Sequence, residues 1–181
     1  MEDQELINLK YPIGKFLVPE TITPHLIELS IEDIASFPVK LENEVSDLSE
    51  SQLDTPYRPG GWTVRQVVHH CADSHMNSLI RFKLALTEDK PLIKPYFEDR
   101  WAELPDTRTM EIAPALQLLH GLHSKWVYLL KSLTAEQLQR EFIHPEHNKE
   151  YTLKLSIILY AWHCNHHLAH ITRLKFRQDW D

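Results

Sequence analysis

A chain of 181 residues, 43% hydrophobic and 25% charged, can bury a core without staples and has the composition of one folded domain spanning residues 1–181. Its net charge of −7 with neutral histidines argues against nucleic acid or an anionic membrane as partner and leaves a small molecule or another protein. Two cysteines, Cys71 and Cys164, cannot form a disulfide framework and read as small buried hydrophobes in a reducing compartment.

The start, Met1-Glu2-Asp3-Gln4-Glu5, is acidic where a secretion signal would be basic. The most apolar stretch, Leu153 to Cys164, is too short and polar to span a bilayer. The expectation is a cytoplasmic protein. Leu9 to Phe16, with three prolines by position 24 and Gly14, predicts an extended arm that Tyr11, Ile13 and Phe16 tack onto the body.

From roughly Ser30 to Leu48 the residues Ile31, Ile34, Phe37, Leu41, Val45 and Leu48 recur at threes and fours, which predicts a first amphipathic helix. Pro38 removes a backbone donor from that pattern, so it either kinks the helix or marks its real first turn. The turn-rich Asp54 to Gly61 leads to Thr63 and Gln66, a capping box that opens a second helix running to about Leu86. With His70 as zero on its wheel, Asp73, Ser74, Asn77 and Arg81 fall within about 60°, while Cys71, Ala72, Leu79 and Phe82 lie opposite. A solvated face is normally rich in Lys and Glu; this one carries the short or hydrogen-bonding types that line pockets. His69 and His75 project away from it and read as structural or surface residues.

Thr87 to about Glu111, with Pro91, Pro95 and Pro105, predicts a long crossing loop with little helix, anchored over the body by Tyr96 and Trp101. A third helix opens near Pro114 and carries Leu116, Leu119, Leu122, Trp126, Leu129 and Leu130 at helical spacing. Its His120 and His123 have no polar stripe around them and are not counted as ligands. Thr134 and Gln137 make a second capping box before a loop over Ile143 to Lys149, and a fourth helix runs from about Thr152 to near Gln178. That helix holds His163, His166, His167 and His170 in eight residues. A stack of histidines on a wet helix face is the bland explanation; a matching histidine on the second helix weakens it.

The halves echo one another. Leu48 to Leu53 resembles Leu133 to Leu138, and each leads through a loop into an aromatic-Thr pair, Trp62-Thr63 and Tyr151-Thr152, ahead of a histidine-bearing helix. A rough two-fold relating the helix pairs sets His70 opposite His163 and His167 in an all-α four-helix bundle, where sites form from inward side chains on facing helices. On the wheel, His166 with His170 is an equally good i,i+4 pair. Three neutral imidazoles would hold a divalent ion and leave a position for water or substrate, whereas closed structural sites usually recruit cysteine. Such an ion can bring bound water to a pKa near 7, polarise a carbonyl or stabilise a thiolate. Zinc is the first expectation, with nickel, iron and manganese as alternatives. Position 164 is Cys and 165 is Asn, so the His-Glu-x-x-His protease signature is absent. Asp73 is the nearest proton-transfer candidate on the wheel, although a carboxylate there is more often an orienter of a ligand. Asn77 and Arg81 could hold an anionic or amide group of substrate.

Gly60 to His70, followed by Asp73-Ser74-His75-Met76-Asn77 and Arg81-Phe82-Lys83, resembles the first motif of the YfiT group of the DinB-like superfamily. Trp162-His163-x-x-x-His167-x-x-His170-Ile171-Thr172 is similar to its second. The resemblance covers nearly the whole chain and is weakest before Leu9 and between Glu103 and Pro114. It implies an up-down-down-up four-helix bundle, a homodimer and one divalent metal per subunit held by His70, His163 and His167. No ligand position departs from the pattern. It further implies a metal-dependent hydrolase acting on a small molecule, or else a transferase joining a low-molecular-weight thiol such as bacillithiol to electrophiles. A metal-stabilised binding or stress protein without turnover is a third possibility.

Overall fold

The computed structural model describes residues 4–146 and 149–180. Four long helices make the body: α2 (Pro24–Val45), α4 (Val64–Thr87), α7 (Ala113–Lys131) and α8 (Leu153–Arg177). Short helices fill the connections: α1 (Gln4–Lys10), α3 (Glu50–Leu53), α5 (Glu98–Trp101) and α6 (Pro105–Arg108). A hairpin of β1 (Glu141–His144) and β2 (Lys149–Thr152) precedes α8.

Local chemistry sets the helix starts. Thr63 accepts from Gln66 N while the Gln66 side chain accepts from Thr63 N, which satisfies two orphan donors at the start of α4. Thr152 Oγ1 accepts from Leu155 N at the start of α8. Helix α2 begins six residues ahead of the predicted Ser30, because Thr23 caps it and Pro24 fills its first turn. Pro38 lies inside α2 and is buried. Having no N–H, it leaves the carbonyl of Ile34 without its helical donor, and His123 Nδ1 sits 2.7 Å from that oxygen.

Two expectations are corrected. The arm is not extended from its start, since Gln4–Lys10 form a helix, although Pro12 and Gly14 do end it. Tyr11 and Phe16 pack near His166 and Trp162, whereas Ile13 is exposed and holds nothing down. The crossing loop carries little helix, as expected, in two single turns, with Tyr96 packed on Trp101 at 4.6 Å between centroids. The loop over Ile143 to Lys149 is the tip of a hairpin, of which His147 and Asn148 lie outside the described residues. Ile143 pairs in turn with the backbone of Pro91 and Ile93.

Helix directions follow from the bonds that tie their ends. Arg65, at the start of α4, donates to Met110 O just before α7, and Arg140, after α7, donates to Ala85 O at the end of α4. The two helices are therefore parallel. Leu153 N bonds Arg140 O, so α8 starts where α7 ends and runs back. Lys175 near the end of α8 reaches Glu44 near the end of α2, which makes those two parallel. The bundle is up-down-down-up, and its core holds Phe37, Phe82, Trp126, Leu119 and Ile157. Each long helix packs on the two that are not its nearest in sequence: α2 on α7 and α8, and α4 on α7 and α8. Among the described residues no helix is long and apolar enough to cross a membrane.

Candidate metal centre

Packing α4 antiparallel to α8 faces the polar stripe of the first onto the histidine run of the second. His70, His163 and His167 converge, with one ring nitrogen of each within 4.8 Å of the others. Ring centroids lie 5.4 Å apart for His70 and His163, 4.8 Å for His70 and His167, and 4.4 Å for His163 and His167. The pair His166 and His170, equivalent on a wheel, turns towards the N-terminal segment. His170 Nε2 donates to Lys10 O at 3.1 Å and its ring stacks on Tyr57, while His166 stacks on Trp162.

The donor chemistry suits a divalent metal. Burial depresses the His70 imidazole to about 4, with His166 nearby adding to it, and burial together with neighbouring imidazoles holds His163 and His167 well below the usual histidine range. Neutral rings present lone pairs, which a metal requires. His167 Nδ1 is buried with no hydrogen-bond partner, an arrangement costly unless a further group satisfies the ring.

The histidines open onto a cavity of about 430 Å³ whose walls include Trp62, Ser74, Tyr160, Arg81 and Tyr96. Arg81 reaches it as the stripe on α4 predicts, and its buried Nε has no partner. Ser74 lines it as well, but Asp73 and Asn77 do not. Asn77 Nδ2 donates to Asp73 O on its own helix, at 2.9 Å. Asp73 is absent from the cavity lining; burial, with Asp106 adding, raises its carboxyl to about 6. The carboxylates on the lining are Glu98, from α5, and Glu146, from the hairpin tip. Both come from segments whose packing onto the bundle has no periodic signature.

His75 and His123 are the residues the sequence reading undervalued. His75 is fully buried, with its Nε2 3.0 Å from His163 Nδ1 and its Nδ1 2.7 Å from His123 Nε2. His75 does project away from the His70 stripe, but inwards, among Phe37, Trp126 and Tyr160. His69 is also buried, bonded to the backbone of Met110. Cys71 and Cys164 are buried free thiols, and burial pushes both upwards, as small core residues would be.

A family model described as the DinB superfamily matches residues 38–171. A protein of Bacillus cereus (strain ATCC 10987 / NRS 248), whose name proposes a metal-dependent hydrolase, is 54% identical over 173 residues, 96% of this chain and 99% of its own. A relative of the same name from Bacillus anthracis (strain CDC 684 / NRRL 3495) is 53% identical over 173 residues with the same coverage. The solved structure of YfiT from Bacillus subtilis, described as a probable metal-dependent hydrolase with an unusual four-helix bundle topology, matches with a TM-score of 0.94. It is 50% identical and covers 96% of this chain and 99% of that one.

Proposed function

The chain belongs to the DinB superfamily, and on that premise we propose that it is a metal-dependent hydrolase of a small molecule, with His70, His163 and His167 as the ligands of one divalent ion. The observation that carries this reading is the convergence of three neutral imidazoles on an open cavity, with no fourth protein ligand in the cluster among the described residues. A bound divalent ion, zinc first and nickel, iron or manganese as alternatives, supplies Lewis acidity and makes water more acidic.

The remaining work falls to this chain's own side chains. Arg81, with its buried unpaired Nε, offers a charge-assisted bond to an anionic or carbonyl group of substrate. Glu98 and Glu146 provide the carboxylate oxygens of the cavity wall and are the candidate acceptors for a proton from water, in place of Asp73. Trp62 and Tyr160 give the site apolar walls that restrict water around the reacting groups.

The test is to incubate metal-loaded protein with a panel of activated esters, amides and alkyl electrophiles, with and without a bacterial low-molecular-weight thiol, and to identify products by mass spectrometry. Metal-dependent hydrolysis without thiol, lost in His163→Ala, is the expected result. Thiol adducts in place of hydrolysis would make the protein an S-transferase, and neither product would favour a binding role.

A further inference from the structure

We infer that His75 and His123 are positioning residues that, through the carbonyl Pro38 sets free, lock His163 in the one tautomer that leaves its Nε2 open to a metal. The inference rests on His163 being a ligand, as proposed above, and adds a part played by two histidines that lie outside the ligand set.

The direction of the chain is forced from its far end. Pro38 has no N–H, so the Ile34 carbonyl four residues earlier lacks its helical partner. A carbonyl can only accept. His123 Nδ1, 2.7 Å away, must therefore carry a proton and donate it to that oxygen. In a neutral ring, Nε2 of His123 is then a bare acceptor, so the contact of 2.7 Å to His75 Nδ1 requires the proton to sit on His75. His75 Nε2 is left as an acceptor in turn, and across 3.0 Å it takes the proton of His163 Nδ1. What remains on His163 is an Nε2 lone pair, with only the Ser74 hydroxyl near it, at 3.5 Å. Each link fixes the next, and an anchor on α2 is transmitted through α7 and α4 to a ligand on α8.

The surroundings favour one arrangement over several. His75 and His123 are 0% and 2% exposed. Phe37 and Trp126 pack against both rings. A metal-bound histidine commonly gives its other N–H to a carboxylate or carbonyl, which sets the tautomer and ring orientation. Here an imidazole takes that place, and a second imidazole and a backbone oxygen hold it in turn.

The experiment combines two readouts, neither of which is turnover. Long-range ¹H–¹⁵N imidazole spectra of the zinc-loaded and chelator-treated protein should show the Nδ1–H tautomer for His75, His123 and His163. Zinc affinity by competition with a chromophoric chelator should fall by about 10- to 100-fold in His75→Phe, which keeps bulk and removes the acceptor, and stay within about threefold of wild type in His75→Gln, whose side-chain carbonyl restores it. His123→Phe, two links from the ligand, should fall in the same direction and decides the matter if His75→Phe does not fold. An Nε2–H tautomer for His163 in the chelator-treated wild type, or equal affinity losses in the Phe and Gln variants, or no loss in any, would overturn the inference. A wild type that binds no zinc but shows the Nδ1–H pattern would refute the proposed metal site and leave the tautomer chain standing; a wild type that binds zinc without turnover would count only against the proposed reaction.

Discussion

His70, His163 and His167 each bring a ring that burial keeps uncharged, so removing one leaves two donors and a hole beside the cavity. His70→Ala and His163→Ala should each purify without stoichiometric metal, while His75→Ala should still reach one ion per chain at saturating metal; metal analysis of the three purified variants checks this. Protons compete for the same nitrogens. Burial depresses His70, His123 and His166 to about 4 and His170 to about 3, against a usual value near 6.5 in the unfolded chain. Between those values the unfolded state binds more protons than the native one, so the stability these rings contribute is complete above pH 6.5 and drains away as pH falls, each adding at most about 1.4 kcal/mol per pH unit. Urea midpoints measured from about pH 7.5 to pH 4.5 should stay level and then drop steadily below pH 6.5. A midpoint unchanged down to about pH 5 would show that the rings are not held neutral by burial.

The elements that carry these residues were legible where local chemistry defines them. Thr63 with Gln66, and Thr152 ahead of the histidine run, announce the starts of α4 and α8, and both caps form. Thr63→Ala should cost about 1 kcal/mol in urea unfolding, the usual worth of such a cap, with metal stoichiometry unchanged because the cap lies about two turns from His70. Elements whose existence depends on distant partners were not legible. The hairpin has strands of four residues each and gains its third edge from Pro91 to Ile93, which lie fifty residues earlier in the chain. Strands that short sit at the lower limit of the length at which alternation can be read. Pro38 looked like a flaw in the first helix, or its beginning; it sits within α2 because the carbonyl it frees has a donor waiting on α7.

The bundle as a whole ties metal to folding. Among the described residues, His167 Nδ1 of the proposed ligand set is buried without a hydrogen-bond partner, and a ligand that binds only the folded state stabilises that state by mass action. Zinc at a hundred times its dissociation constant should raise stability by about 2.7 kcal/mol. Differential scanning calorimetry should show a higher midpoint with zinc, reversal by chelator and no response in His163→Ala. The topology matters to this outcome because α4 and α8, separated by the whole of α7 and both long connections, must dock before the three rings meet.

Periodicity, capping and residue type act over a turn or two, and from them the sequence alone determined four long helices, the polar stripe on the second, the candidate ligand on it and the crowd of histidines on the fourth. The choice between the pairs His163/His167 and His166/His170 was open on the wheel and came from a motif resemblance; in space it is a matter of which face of α8 meets α4 and which meets the segment around Lys10 and Tyr57. Tertiary structure alone decided that Asp73 stands off the cavity while Glu98 and Glu146 line it. It also decided that His75 and His123 join in a hydrogen-bonded line behind His163. The physical reason is the same in each case: a wheel gives the direction in which a side chain leaves its own helix, but the identity of what it meets depends on helices and loops brought alongside by long-range packing.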